Sequence, residues 1–298
     1  MGGGMDADSQ VAALSKLISD EIIKAMGLSR QNPIGQILRP FFGRATRRFS
    51  RIFVDIDDRV AREGLASGAR ALLSHLVEGV EIMGADRVPP EGPLVIASNH
   101  PGTVDSLVIT SAIQRPDLKI IASAVPFLRS LPNIGRSLIF TPPRDPHARM
   151  HVVRESLRHL EQGRALLLFG RGRIDPDPSF MFDSESLLDA WSRSLEIFLD
   201  RVPGARVLVT VVSGVLDPAF MRHPITLLRR AREDRQRLAM MMQVVQQMLG
   251  RRLGLRPRVT FGDLWSEESA GGREHVLPAV RQSARRLLER HARIAQPG

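Results

Sequence analysis

Short apolar runs that alternate with helical patterns constrain this chain more than any other feature. Leu94 to Ala97, Leu118 to Ser123, Leu138 to Thr141, Ala165 to Phe169 and Arg206 to Val212 have strand length and strand composition. Helical spacing fills the intervals Val104 to Ile113, Pro146 to Glu161 and Ser184 to Leu199. Such alternation predicts an α/β fold, a mixed, largely parallel sheet flanked by helices. An edge strand near Val80 opens this body, the Pro89-Pro90-Glu91-Gly92-Pro93 turn comes next, and Val259 to Phe261 is a candidate for one more strand.

Helices bracket the sheet. Residues 6–26 place Val11, Leu14, Leu17, Ile18, Ile22 and Ile23 at helical spacing until Asn32-Pro33 stops the pattern. From Ile37 to Leu76 two amphipathic helices are expected, with a break between Phe53 and Asp57. We therefore divide the chain into an N-terminal helical extension, 1–79, and an α/β domain with basic C-terminal helices, 80–298. The extension is expected to cover one face of the body. The C-terminal part reads as one long basic helix over 225–253 and an arginine-rich amphipathic helix from His275 to Arg293. Met240, Met241, Met242 and Met248 in the first of these read as core, with an apolar ligand groove as the second reading.

Active sites of open α/β sheets lie beyond the carboxyl ends of their strands. His100 stands there, three residues past the strand Leu94 to Ala97, and Pro101-Gly102 turns the chain so that Asp105 can reach the ring from the next helix. A carboxylate in that place fixes the tautomer and raises the basicity of the imidazole, which can then take a proton from a hydroxyl. Arg144 and the run Gly170, Arg171, Gly172, Arg173 also come a few residues after strands, so the same rim collects them.

Composition limits what this rim can do. With 298 residues, 43% of them hydrophobic, the chain can bury a substantial core. Zero cysteines rule out disulfides, thiolate metal sites and a cysteine nucleophile. The formal charge of +10 comes almost wholly from arginine and suits an anionic membrane surface or phosphorylated substrates. Nucleic acid fits less well, because Tyr is absent and aromatics are 5%. No apolar stretch reaches the ~18 residues of a membrane span, and the first residues lack the pattern of a secretory signal. A cytoplasmic protein associated peripherally with a membrane is the expectation.

Other motifs resolve to ordinary roles. His147 and His151 have the i, i+4 spacing of a metal pair but lack a third ligand, so no metal is predicted. Asp175-Pro176-Asp177-Pro178 reads as a turn held by prolines, with a gate over the site as the second reading. Ser213-Gly214 lacks the nucleophile elbow of a serine hydrolase, and the glycines at 170 and 172 are too few for a Walker loop.

Taken in order, four blocks between residues 80 and 220 resemble the glycerolipid acyltransferase family, the PlsC-like enzymes that acylate lysophosphatidic acid and glycerol phosphate. Asn99-His100 with Asp105 is similar to the family's first signature, Gly135 to Arg144 to the second, Leu166 to Arg173 to the third, usually F-P-E-G-T-R, and Val207 to Ser213 to the fourth, without its proline. The resemblance implies that a fatty acyl group moves from acyl-CoA or acyl carrier protein to a hydroxyl of a phosphate-bearing glycerolipid. His100 would be the base and Asp105 its orienting partner. Arg144, Arg171 and Arg173 would hold the acceptor phosphate, with amides of the Gly170 to Gly172 loop on the oxyanion; no metal or organic cofactor enters. Gly170-Arg171 replaces the family's Pro-Glu, which implies an acceptor of greater negative charge, or one with its phosphate placed differently, than lysophosphatidic acid. The rival reading is a non-catalytic lipid-binding protein that retains the fold.

Overall fold

Seven strands form one sheet in the order β1-β7-β6-β2-β5-β3-β4. They are β1 (Glu81–Met83), β2 (Leu94–Ser98), β3 (Lys119–Ser123), β4 (Leu138–Thr141), β5 (Ala165–Phe169), β6 (Arg206–Ser213) and β7 (Arg258–Trp265). Every neighbouring pair is parallel except β6 with β7, which is antiparallel and irregular between Leu208 and Thr210. This computed structural model describes residues 7–25, 33–102, 104–141, 146–181, 191, 193–251 and 253–295. The expected mixed, largely parallel sheet with flanking helices is what the chain forms.

Central strands explain themselves. All of β2 is buried, as are the first four residues of β5 and the last seven of β6. Parallel strands covered on both faces need unbroken apolar runs, and this is why Val95, Leu166 and Val207 belong to such runs and not to an alternating pattern. One core cluster joins Val95, Leu166, Leu168, Val207 and Val209 to Leu160 of the helix Pro146–Glu161, Phe198 of Arg193–Arg201 and Val280 of Arg273–Ala295. Residues 182–190 and Ser192, which hold half of the helix expected over Ser184 to Leu199, lie outside the described residues, and its remainder from Arg193 on falls in the helix Arg193–Arg201.

The chain divides into two compact units, and the sheet lies in the one made of Gly79–Ala124, Arg136–Leu216 and Leu255–Gly298. The other consists of Met1–Glu78, Val125–Gly135 and Asp217–Gly254. Its helix Pro33–Glu63 runs straight through the break expected at Phe53 to Asp57. Phe49, Phe53, Ile56 and Val60 keep one buried face at helical spacing, and the interruption falls instead at Gly64, whose φ of 86 suits glycine. Asp57, 2% exposed, accepts hydrogen bonds from the amides of Asn133 and Ile134, so a charge in the expected break instead caps the first turn of Pro132–Arg136.

The helix expected over 225–253 is in fact two, Pro224–Leu227 and Arg232–Met248, separated by Leu228 to Ala231. Pro224 starts the first, and Glu233 and Asp234 favour the amino end of the second. Met240 and Met248 are buried, as the core reading expects.

Candidate active site

β2 ends at Ser98, and Asn99 directs the chain beyond it. The Asn99 side-chain amide donates to the Val212 carbonyl at 2.8 Å, and its Oδ1 accepts from the Val212 amide at 2.8 Å. The side chain thus continues the β2–β6 ladder where the main chain leaves it, and sets the direction in which His100 departs.

His100 Nδ1 lies 2.7 Å from Oδ2 of Asp105, the first residue of the helix Asp105–Ala112. The same oxygen accepts the Gly102 amide at 3.0 Å, and Oδ1 accepts the Ser106 amide at 2.6 Å. An acceptor-only carboxylate opposite Nδ1 assigns the proton of neutral imidazole to Nδ1 and leaves Nε2 as the lone-pair nitrogen. Asp105 is 1% exposed, whereas the His100 side chain is 29% exposed, so the base is reachable and its partner is not. Burial pulls the imidazole toward the neutral form, but the charge and hydrogen bond of Asp105, with the charge of Asp175, outweigh it and raise the His100 pKa above its ordinary value. Phe169 stacks on the ring, with centroids 4.3 Å apart and planes 28° from parallel.

The loop after β5 arrives beside this pair because Ser98 and Phe169 are register partners. Asp175 is its key residue. Its Oδ2 accepts the His100 amide at 2.8 Å, its own amide donates to the His100 carbonyl at 2.8 Å, and its Oδ1 takes Arg171 Nη1 at 3.2 Å. Asp175 is fully buried and Arg171 is 16% exposed as side chains. Burial raises the Asp175 pKa, against the His100 amide and the Arg171 and His100 charges that favour its ionised form.

Arg171, expected to hold an acceptor phosphate, is therefore engaged in holding a carboxylate of the same loop. The Gly170 amide donates to the Ser98 carbonyl at 2.9 Å and the Gly172 amide to the Phe169 carbonyl at 3.0 Å, so neither of these two amides is open to an oxyanion as expected. A Cβ at Gly170 would stand 2.5 Å from the Trp191 ring, and close packing explains that glycine. Arg173 and Gly172 are exposed. Arg144 lies outside the described residues.

Asp177 completes the support. It is fully buried, and its carboxylate accepts the amides of Gly214, Val215, Leu216 and Ser179 and the Ser179 hydroxyl. Burial nevertheless raises its pKa. Neither aspartate of the Asp-Pro-Asp-Pro run behaves as a gate; both tie loops of the rim together. Sequence reading misses what Asn99, Phe169 and Asp175 do here, although Asp175 and Asp177 on a loop at a strand's carboxyl end are a visible signal. No group of three or more His, Asp or Glu side chains placed to hold a metal occurs among the described residues.

A reachable imidazole oriented by a buried carboxylate, at the carboxyl rim of a largely parallel sheet, defines a general-base site of the kind that activates hydroxyls. Residues 79–214, which contain His100, Asp105, Arg171, Asp175 and Asp177, match the family model described as Acyltransferase. In fold, the chain is similar to the crystal structure of the 1-acyl-sn-glycerophosphate (LPA) acyltransferase, PlsC, from Thermotoga maritima, with 13% identity over 98% of this chain and 96% of that one and a TM-score of 0.49. A comparison with curated proteins gives no match.

Proposed function

We propose that the protein transfers a fatty acyl group from a thioester, acyl-CoA or acyl carrier protein, to a hydroxyl of a phosphate-bearing glycerolipid. The observation that carries this reading is the 2.7 Å contact between His100 Nδ1 and Asp105 on a ring that is 29% exposed, within the stretch that matches the Acyltransferase family model. Nε2 takes the hydroxyl proton as the oxygen attacks the thioester carbon; the C–O bond forms, the C–S bond breaks, and the thiolate leaves with the proton from His100. Asp105 stabilises the imidazolium between the two transfers. Arg173 and Arg144 are assigned to the acceptor phosphate, for which guanidinium offers bidentate geometry. Arg171 supports them indirectly, by fixing Asp175 and through it the His100 backbone.

Purified protein incubated with acyl-CoA and a panel of lysolipids tests this. Acylated lysolipid, found by mass and formed only when a hydroxyl acceptor is present, is the expected result. Stable acyl-protein in a denaturing gel contradicts the single-step route. Lysolipid binding without product from any donor replaces the reaction with the lipid-binding alternative.

A further inference from the structure

Within the helical unit, residues 225–228 leave three aliphatic side chains in water. Ile225 is 51% exposed, Leu227 58% and Leu228 81%. Single exposed aliphatics are ordinary, but three within four residues form a patch of the kind that marks an interaction site. Their exposure is fixed by the fold. Thr226 between them is fully buried, and its hydroxyl donates to the carbonyls of Met221 at 2.9 Å and His223 at 2.6 Å. His223 Nδ1 accepts the Ile225 amide at 3.3 Å, capping the Pro224–Leu227 turn. With the polar residue anchored inward, its apolar neighbours have nowhere to point but out.

Positive charge predominates along the chain on either side of the patch. Between residues 217 and 237 stand six arginines against three carboxylates. Two of those carboxylates, Glu233 and Asp234, lie 3.6 and 3.4 Å from Arg237. Arg222, Arg229 and Arg230, next to the aliphatics, are exposed. An apolar tip flanked in sequence by exposed arginines matches the boundary between acyl chains and anionic headgroups.

We propose that Ile225, Leu227 and Leu228, with Arg222, Arg229 and Arg230, dock the protein on an anionic bilayer, the aliphatics entering the acyl boundary and the arginines meeting lipid phosphates. A bilayer suits this patch better than an acidic protein does. A side chain that is 81% exposed stands clear of its neighbours, and a fluid interface accommodates such a projection where a protein partner needs a matching pocket. The inference goes beyond the proposed reaction and is read without turnover, so either can fail alone.

The test is sedimentation of the full chain with vesicles of phosphatidylcholine, alone or mixed with phosphatidylglycerol. Wild type should bind the mixed vesicles and lose binding as salt rises. Leu227→Ser/Leu228→Ser should weaken binding by about tenfold or more, and Arg229→Gln/Arg230→Gln by roughly fivefold per arginine at low salt, both with unchanged Tm. Because the chain has no cysteine, Leu228→Cys carries a single environment-sensitive dye, and its emission should shift blue on mixed vesicles. Equal binding by wild type and both double variants overturns the proposal, as does a dye that stays in water while the protein is bound. A wild-type dimer that Leu227→Ser/Leu228→Ser makes monomeric, with vesicle binding intact, overturns it in favour of self-association.

Discussion

Asp175 engages both main-chain polar groups of His100: its carboxylate accepts the His100 amide and its own amide donates to the His100 carbonyl, each at 2.8 Å. The loop after β5 and the loop after β2 are in this way one structure. Asp175→Ala should leave the buried amide without its acceptor, costing about 1–3 kcal/mol of stability, and should lower kcat more than it changes acceptor KM. Asp175→Asn keeps the shape but removes a charge that favours imidazolium, so the acid limb of kcat/KM should move to lower pH. An unchanged limb in Asp175→Asn would separate Asp175 from the base.

Arg171 and Arg173 should part company under substitution. Arg171 is paired with fully buried Asp175. Arg171→Glu sets two carboxylates against each other and should destabilise the fold by about 3–5 kcal/mol, the range for breaking a buried pair, as read by urea unfolding. Arg173 is exposed, and Arg173→Ala should keep wild-type stability while raising acceptor KM. Arg171→Glu with wild-type stability and altered acceptor choice would return Arg171 to the phosphate site.

Asp105 should set both the height and the position of the pH profile. His100 has a raised pKa, and only its neutral form is a base. kcat/KM should therefore climb as pH rises through a midpoint above the ordinary histidine value. In Asp105→Asn the attraction for imidazolium is gone and the tautomer is mis-set, so the plateau should fall by on the order of 10²-fold and the midpoint should move down. A midpoint that stays in place in Asp105→Asn would show that another group titrates.

His291 marks where acid should weaken the fold. It is fully buried, its Nδ1 is 2.7 Å from Ser213 Oγ and its Nε2 2.8 Å from Thr260 Oγ1, and burial, with the charges of Arg258 and Arg290, lowers its pKa to about 4. The unfolded chain binds this proton near the ordinary pKa of ~6.5. Stability should thus be complete above that value and decline as pH falls toward 4, by about 3 kcal/mol at most. His291→Gln should flatten that part of the curve of unfolding free energy against pH; an equally steep curve would assign it to other groups.

How much of this is legible in the sequence depends on how local each cause is. Strand β5 lies where its apolar run places it, because a strand buried on both faces leaves its signature in consecutive residues. His100 and Asp105 are readable for a similar reason, being joined by a turn of five residues. Asp175 lies 75 residues from His100, and no local pattern announces that a loop aspartate will accept a distant amide. Arg171 reads as an acceptor-binding cation only while Asp175, four residues on, is taken for part of a turn and not for its partner. Asp57 falls in an apparent helix break, since only the fold brings the amides of Asn133 and Ile134 to it.

Turnover of His100→Ala, measured with a thioester donor and a hydroxyl acceptor alongside its melting temperature, tests the central claim most directly. A fall of at least ~10² in kcat with an unchanged melting temperature is the predicted result, and turnover near that of wild type would contradict the assignment of His100 as the base.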